Sequence, residues 1–399
     1  MKRRDFLQAA SLVSASWMMP NFLRAAQSLS FGESTHGKVL VMVQFSGGND
    51  GLNMVVPYSN DIYYQNRPGI AIKSDEVFRM NDDLGLHPKM EGLHQLYDDG
   101  ALSVVNGVGY PNPNRSHFRS MDIWHTASDA HEFLSSGWVG RYLDSACQKG
   151  KTLPYTALEI DDTLSLALKG QQLKGLAVKQ PQSLYKTTQE PFIQALARQQ
   201  MQADVSSPLA YLHKTLIETT TSASYVHEKA KVYKTEVDYP DHEFGQKLKT
   251  MAKLIVSQSD TRIYYVSISG FDTHVSQPGQ HGNLLKKYSS GLAAFVEDLK
   301  RNNRFEDVMI MTFSEFGRRV KQNAGRGTDH GTANNVMLIS GGLKKPGIYN
   351  APSDLADLVD GDLKHKVDFR EIYTTLLDKW LEVDAEAILG RKFSQLGMV

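Results

Sequence analysis

Five short apolar runs constrain the fold of this chain more than any other feature of its sequence. None of them alternates between apolar and polar residues, and continuous apolar runs are typical of strands buried on both faces. Such strands occur in parallel sheets that are covered by helices on two sides. The runs are VLVMV (39–43), LSVV (102–105), IYYVSI (263–268), VMIM (308–311) and VMLI (336–339).

Helical patterns lie between and after these runs. Apolar residues at helical spacing in NLLKKYSSGLAAFVEDLKRN (283–302) predict a helix between the third and fourth strands. One helix is predicted to end at Gly100, and a late helix is predicted to begin after Asp368. The sequence therefore predicts an α/β fold with a mainly parallel sheet and helices on both faces. The region around 187–253 is rich in Ala, Gln, Lys and Glu, and we expect it to be a helical insertion.

The first 26 residues predict an export signal. Arg3 and Arg4 precede a weakly apolar, Ala/Ser-rich stretch, which is typical of a twin-arginine signal cleaved near Ala26. The alternative is a short amphipathic first helix. We therefore expect the twin-arginine export machinery as a partner, a periplasmic or secreted location, and a single domain over residues 27–399. No later segment approaches the roughly 20 apolar residues of a membrane span, so we expect no span in the mature chain.

Charge and cysteine content limit the classes of function. The chain has 44 basic and 44 acidic residues, so no global basic field favours nucleic acid, and we expect no nucleic-acid partner. Cys147 is the only cysteine, which excludes an intramolecular disulfide. Stability must therefore come from the core.

Polar side chains follow the predicted strands. In open α/β sheets, sites lie at the carboxyl ends of the strands, so we expect these side chains to meet there. They are Asp50 after the first strand, Ser116 between Arg115 and His117 after the second, Asp272 and His274 after the third, Glu315 after the fourth, and Asp329 and His330 just before the fifth.

This mixture of groups indicates a metal site. Carboxylate oxygens and imidazole nitrogens are ligands of zinc, manganese and iron, and a metal can activate a nearby serine. The motifs GxSxG, GxGxxG and GxxxxGK[ST] do not occur, which argues against an ordinary α/β-hydrolase, a dinucleotide fold and a P-loop. Taken singly, Asp50 could cap a turn, the histidines could be structural, Ser116 could be a plain loop residue, and His87 is expected to be a loop residue rather than a ligand. Their joint placement favours a functional site.

The motifs together resemble a known family. FSGGNDGLN, NRSHF, SGWVGRYLD, GFDTH, SEFGR and DHGTANNVMLISGG are similar to those of a bacterial family of exported proteins of unknown function, often twin-arginine dependent. That family is distantly similar to the alkaline phosphatase and sulfatase superfamily. The superfamily resemblance implies a three-layer α/β/α sandwich, a divalent-metal cofactor with zinc as the expected ion, and a nucleophilic Ser, Thr or modified Cys.

The resemblance also implies roles for residues. The sequence departs from the superfamily at two points. Phe316 replaces the histidine of an Asp-His pair, and Asp272 and His274 are separated by one residue where relatives show a wider gap. The number of metal ions, one or two, therefore stays open. The implied metal ligands are Asp50 for one ion, Asp272, His274 and His330 for the other, and Glu315 from the altered pair, with Ser116 as the nucleophile.

The sequence thus predicts an exported metal-dependent hydrolase of phosphate, sulfate or related esters. Arg115 and Arg318 are expected to neutralise the transferring group, and His117 is expected to turn away and pack or cap its loop. The substrate is expected to be a small-molecule or polysaccharide ester. The alternative is an inactive periplasmic protein of the same fold that binds a ligand or partner, which Phe316 favours.

Overall fold

The computed structural model describes residues 37–147, 153–199 and 207–399. The predicted export signal lies outside the described residues. The strands are β1 (Val39–Ser46), β2 (Val55–Val56), β3 (Phe78–Arg79), β4 (Gly85–Leu86), β5 (Leu102–Gly109), β6 (Ala157–Glu159), β7 (Leu176–Ala177), β8 (Ile263–Ser269), β9 (Val308–Ser314), β10 (Arg318–Gln322), β11 (Thr328–His330), β12 (Asn334–Ile339), β13 (Gly347–Ile348), β14 (Leu358–Val359), β15 (Asp362–Leu363) and β16 (Val367–Asp368). The α-helices are α1 (Gly51–Met54), α2 (Asp61–Asn66), α3 (Glu91–Asp98), α4 (His117–Thr126), α5 (Trp138–Cys147), α6 (Pro181–Thr188), α7 (Pro191–Arg198), α8 (Pro208–Val232), α9 (Glu243–Val256), α10 (Gln277–Arg301), α11 (Phe369–Thr375) and α12 (Ala385–Leu389).

The main sheet has nine strands, and all five apolar runs form strands in it. Its order is β13-β5-β12-β9-β1-β8-β6-β7, with β16 also paired to β5. All pairings are parallel except those of β12, which runs antiparallel to both β5 and β9. The predicted mainly parallel sheet is confirmed.

The reversed direction of β12 explains how a loop before a strand can reach the site. The amino end of an antiparallel strand lies at the same edge as the carboxyl ends of its parallel neighbours. The hairpin of β10 and β11 precedes β12 directly, so it lies at that edge too. Asp329 and His330 are therefore placed near the ends of β1, β8 and β9.

Two apolar clusters cover the two faces of the sheet. Alternate residues of β1 point to opposite clusters: Val41 and Val43 pack into one, and Leu40 and Met42 into the other. The first cluster includes residues of α3, α9 and α10, and the second includes residues of α4, α5, α11 and α12. The expected three-layer α/β/α arrangement is confirmed, with a core on each side of the sheet.

The predicted helices occupy the expected segments. The long helix between the third and fourth apolar runs is α10, and α3 ends just before Gly100, whose φ is +68°. The Asp368 side chain accepts a hydrogen bond from the Arg370 amide and caps α11, as predicted. Helices α6 to α9 lie between residues 181 and 256; the assignment of this region as an insertion stays a prediction. Within the described part of the chain, no helix is long and apolar enough to cross a membrane.

Candidate metal centre

A pair of glycines allows the turn after β1 to lie against the turn after β8. Gly47 and Gly48 have φ values of +119° and +70°, a region that glycine adopts without steric cost. A Cβ atom on Gly47 would lie 2.4 Å from the Asp272 amide nitrogen, so no larger residue fits there. The SGG sequence therefore brings two strand ends into direct contact.

The Asp272 carboxylate is the centre of a cluster of nitrogen atoms. Its Oδ1 lies 3.0 Å from His274 Nε2, 3.2 Å from His330 Nε2 and 2.7 Å from the Arg318 guanidinium. Its Oδ2 lies 3.5 Å from His117 Nε2. Three imidazoles from three separate segments thus turn the same ring nitrogen toward one carboxylate.

The other ring nitrogen of each histidine is held by an oxygen acceptor. His117 Nδ1 lies 2.9 Å from Glu315 Oε1, and His274 Nδ1 lies 3.2 Å from Asp329 Oδ1. His330 Nδ1 lies 2.8 Å from the Arg115 carbonyl oxygen. Each ring thus has an oxygen acceptor at Nδ1 and the Asp272 carboxylate at Nε2, and a cation bound to Nε2 would leave the ring proton on Nδ1. This is the usual arrangement of histidines that bind a metal through Nε2.

The spacing of the Nε2 atoms fits ligands of a shared ion. His274 Nε2 and His330 Nε2 are 3.0 Å apart. If both Nδ1 atoms carry protons, neither Nε2 has a proton to donate to the other, so a cation between them would remove the repulsion of their lone pairs. Two ligands of a tetrahedral ion with bonds of about 2.0–2.1 Å are roughly 3.3 Å apart, close to the distances between these groups.

Among the described residues, two groups bring ligand atoms within 4.8 Å of one another. One is His117, Asp272 and His330, to which His274 adds a fourth donor. The other is Asp129, His131 and Glu132, but Arg370 and Arg391 already neutralise Asp129, at 2.5 and 2.7 Å. The first group is the better candidate because three imidazoles face its carboxylate, which pairs with one arginine, whereas Asp129 pairs with two.

Charge and burial shift the pKa values of the cluster in different directions. Burial would raise the pKa of Asp272, but the hydrogen bonds from Arg318 and His330 and the charges of Arg318 and His274 together lower it to about 2. The hydrogen bond to Glu315 raises the pKa of His117. Burial lowers the pKa of His330, which favours the neutral imidazole that a metal requires.

Glu315 lies behind His117 and does not face Asp272. Its buried carboxylate accepts hydrogen bonds from the Gly47 amide at 2.8 Å and the Ser314 hydroxyl at 3.0 Å. These bonds and the one to His117 occupy the carboxylate. The resemblance implies that Glu315 binds a metal ion, but in the structure its carboxylate holds the His117 ring in place.

Phe316 forms an apolar wall beside the cluster. Its ring centroid lies 4.9 Å from that of His117 and 4.8 Å from that of His330. The side chain is 3% exposed. Phe316 thus packs against two of the donors and excludes water from one side of them.

The two arginines differ in what they can do. The guanidinium of Arg318 is buried and donates to Asp272 and to the carbonyl oxygens of Gly47, Gly48, Phe271 and Thr328. It therefore fixes the turns of the site.

Arg115 is partly exposed. It forms an ion pair with Asp362, and its backbone carbonyl accepts the hydrogen bond from His330. Its side chain lines a cleft of about 770 Å³ next to the cluster. Glu315 and Phe316 also line this cleft, together with Tyr110, Trp124, Val359, Lys364 and His365. A cleft of this size is in the range of small-molecule sites.

Ser116 is the exposed N-cap residue of α4 and immediately precedes His117. Its side chain caps no backbone amide, although its own amide donates to Asn114 Oδ1 at 2.8 Å. A serine hydroxyl at a helix N-terminus with no capping bond is free to rotate toward the site. Its place beside a donor histidine is compatible with the role given by the resemblance.

Asp50 is buried away from this cluster. Its side chain is 0% exposed and accepts hydrogen bonds from Arg67 Nη1 at 2.6 Å and from Gln277 Nε2. Burial would raise the pKa of Asp50, but the charge of Arg67 and its hydrogen bond lower it. None of its side-chain partners is an imidazole.

Two further buried histidines lie near this aspartate. His281 Nε2 lies 2.9 Å from Asn49 Oδ1, and burial lowers the pKa of His281 to about 4. His87 accepts a hydrogen bond from the Lys89 amide, and burial lowers its pKa to about 3. Both are neutral structural residues, and His87 is not a donor of the cluster, as the sequence suggested.

The expected orientation of His117 is wrong. Next to Ser116, its side chain is predicted from the sequence to turn away and to pack or cap the loop. As the first residue of α4, it instead points to Glu315 and Asp272. The NRSHF motif contains His117, but the direction of its ring is shown only by its contact with Glu315, which lies 198 residues later in the chain.

The chain belongs to the family described as "Protein of unknown function (DUF1501)", which it matches over residues 37–393. This confirms the family resemblance. No curated protein matches the sequence.

Several solved structures are similar to this chain at low sequence identity. One is a protein in the alkaline phosphatase superfamily from Vibrio parahaemolyticus, with 12% identity, coverage of 89% of this chain and 69% of that one, and a TM-score of 0.39. Another is the zinc complex of the C-terminal periplasmic domain of EcEptC from Escherichia coli, with 10% identity, 78% and 75% coverage, and a TM-score of 0.37. A third is the lipoteichoic acid synthase LtaP from Listeria monocytogenes, with 9% identity, 92% and 75% coverage, and a TM-score of 0.38. At such low scores these similarities decide nothing about the activity of this chain.

Proposed function

We propose that this chain is an exported, metal-dependent hydrolase of phosphate, sulfate or related esters. The observation that carries the proposal is the common orientation of His117, His274 and His330. Each has an oxygen acceptor at Nδ1 and turns Nε2 toward the Asp272 carboxylate. Packing alone does not require three imidazoles to share one orientation and one acceptor.

The residues that would hold the ion are Asp272, His274 and His330, with His117 as the fourth donor. A bound divalent ion supplies a Lewis acid that polarises an ester oxygen and lowers the pKa of a neighbouring hydroxyl. Arg318 keeps Asp272 ionised and in place, and Glu315 and Asp329 hold two of the imidazoles. Phe316 shields the donors on one side, which strengthens electrostatic interactions there.

Ser116 is the proposed nucleophile. It precedes His117 in the chain and stands at the amino end of α4, where the helix dipole favours a developing negative charge. In the reaction the Ser116 oxygen would form a bond to the phosphorus or sulfur atom while the bond from that atom to the ester oxygen breaks, and the serine proton would pass to the departing oxygen, which leaves as the alcohol. Water would then attack the same atom, return a proton to the serine oxygen and release the acid.

The cleft beside the cluster is the proposed binding site for the rest of the ester. Tyr110, Trp124 and Val359 give it an apolar part, and its charged part contains both bases and acids: Arg115, Lys364, Glu315, Asp360 and Asp362. This mixed lining suits a small-molecule or saccharide ester with apolar and hydrogen-bonding groups. Arg115 is the side chain best placed to pair with the anionic acid group of that ester, in exchange for Asp362.

Export by the twin-arginine route is part of the proposal and rests on Arg3 and Arg4. Replacing both arginines with lysine should leave the precursor in the cytoplasm. Normal export of that double variant, measured by cell fractionation, would contradict the assignment.

The experiment that tests the activity is a screen of the metal-loaded protein against phosphomonoesters, phosphodiesters and sulfate esters. Once a substrate is found, Ser116→Ala should abolish its turnover and leave zinc content and melting temperature nearly unchanged, because an exposed hydroxyl contributes little to the fold. Full activity of Ser116→Ala would rule out a covalent serine intermediate.

A second candidate function is ligand or partner binding without catalysis. Phe316 favours it, since an apolar ring occupies the position where the resemblance implies a histidine. Metal analysis of protein purified after native export separates the two. A stoichiometric transition metal supports the hydrolase, and its absence supports the binding protein.

A further inference from the structure

A buried ion pair lies beneath the metal cluster. Arg67 and Asp50 are both 0% exposed, and Arg67 Nη1 lies 2.6 Å from Asp50 Oδ2. The resemblance implies that Asp50 binds a metal ion. Whether Asp50 instead pairs with the Arg67 guanidinium therefore decides whether the site can hold a second ion.

The guanidinium of Arg67 is fixed on every side. Its Nε donates to the Val320 carbonyl and its Nη2 to the Arg319 carbonyl, both at 2.8 Å. Nη1 donates to Asn53 Oδ1 at 2.8 Å as well as to Asp50. Removing this side chain from Asp50 to admit an ion would leave a buried guanidinium without its partner, which is strongly unfavourable.

The charge near Asp50 is already balanced. One carboxylate faces one guanidinium, and burial holds His281 neutral, with a pKa of about 4. A divalent ion added here would leave two uncompensated positive charges in a region without solvent. The cluster differs because Asp272 is half exposed, and because the carboxylates of Glu315 and Asp329 add two negative charges to the balanced pair of Asp272 and Arg318.

The ligand set at Asp50 is also too small. Asp50 Oδ1 is buried without a hydrogen-bond partner, and a single donor would satisfy it, whereas a zinc ion needs about four ligands. Over residues 37–147, 153–199 and 207–399, no group of three His, Cys, Asp or Glu side chains includes Asp50. His281 is engaged with Asn49, and Gln277 already donates to Asp50.

The pair also lies under both loops that carry the donors. Gln277 Oε1 accepts a hydrogen bond from Thr328 Oγ1 at 2.7 Å and one from Thr273 Oγ1 at 3.2 Å. Thr273 stands between Asp272 and His274, and Thr328 precedes Asp329 in β11. The pair of Arg67 and Asp50 thus holds, through Gln277, the two turns that carry the proposed metal ligands.

We infer that Arg67 is the cation of Asp50 in place of a second metal, so that this chain has a single-ion centre at Asp272, His274 and His330. The inference rests on the metal site of the proposed function, but it does not depend on what ester is hydrolysed.

The test is a zinc count on the exported protein and on two matched variants. Each metal-free protein is titrated with zinc chloride, and bound zinc per chain is measured by elemental analysis after gel filtration. We expect one zinc in the wild type, one in Asp50→Asn and none in Asp272→Asn. If Asp50→Asn fails to fold, the double variant Asp50→Leu with Arg67→Met replaces the pair with apolar groups and should also bind one zinc.

The outcomes separate this inference from the proposed function. Two zinc ions in the wild type, one of them lost with Asp50, would overturn the inference and leave the hydrolase intact. One zinc in the wild type and no hydrolysis of any ester would overturn the hydrolase and leave the inference intact. No bound zinc in the wild type would overturn both.

Discussion

The cluster around Asp272 and the pair of Asp50 and Arg67 contain the same kinds of groups in opposite states. The Asp50 side chain is fully buried, and the Arg67 guanidinium balances its charge. The Asp272 side chain is 48% exposed, and it contacts three imidazole Nε2 atoms as well as the Arg318 guanidinium. A carboxylate near a strand end is therefore not a metal ligand by position alone. Each carboxylate has a guanidinium partner, so the difference lies in burial and in the further ligand groups around Asp272.

Burial explains the different states. A buried carboxylate must be paired within the chain, because unpaired burial of a charge is very costly. An exposed one is solvated and can exchange its partners for an ion. The four predictions below test this difference, in order of decreasing free-energy effect.

The largest effect is expected for Asp272→Ala. Loss of the central carboxylate should prevent ion binding and reduce ester turnover by on the order of 10⁶-fold, the lower range of enzymatic rate acceleration. Steady-state kinetics with a substrate from the ester screen measures this. Because the buried Arg318 guanidinium loses its anion in this variant, the metal-free protein should also be less stable than the metal-free wild type. Retention of turnover would contradict the cluster as the active centre.

Asp50→Asn should act on stability instead. It leaves the guanidinium of Arg67 buried without an anion, which is expected to lower the free energy of unfolding by about 3–5 kcal/mol. Urea denaturation of the metal-free protein gives this value. The double variant Asp50→Leu with Arg67→Met should recover much of the loss, and a destabilised double variant would show that the pair does more than balance charge.

Glu315→Gln should weaken ion binding without removing it. The amide keeps the shape of the side chain but loses the negative charge that polarises His117, and such changes behind a ligand typically reduce metal affinity by about 10- to 100-fold. Competition with a zinc-binding dye measures the affinity. Asp329→Asn is the matched change behind His274, and unaltered affinity in both variants would argue that the acceptors do not orient the donors.

The smallest effect is expected for Gln277→Leu. This change removes the hydrogen bonds that join Asp50 to Thr273 and Thr328, at a cost of about 1–2 kcal/mol of stability. If the buried pair anchors the donor turns, zinc affinity should fall a few-fold as well. Loss of stability with unchanged zinc affinity would show that the two regions are independent.

The fold was largely predictable from sequence because buried parallel strands have a clear signature. The five apolar runs and the helix of residues 283–302 needed no tertiary information. The antiparallel direction of β12 was not visible, since a buried strand has the same composition in either direction. Its reversal nevertheless brings His330 to the edge that the sequence analysis expected.

The site was predictable only in part. Residues directly after strands, such as Asp272 and His274, were found because strand ends share an edge. The partner of Asp50 was not found, since Arg67 lies 17 residues away in a segment with no strand signal. The ring direction of His117 depends on Glu315, 198 residues further along the chain. Contacts over such distances leave no pattern in a single sequence.

The most direct measurement is an anomalous diffraction map at the zinc edge from crystals of the exported, zinc-loaded protein. The account predicts one strong peak, bonded to Asp272, His274 and His330 at about 2.0–2.2 Å, and no peak within bonding distance of Asp50. A peak bonded to Asp50, or no peak near Asp272, would contradict the single-ion centre.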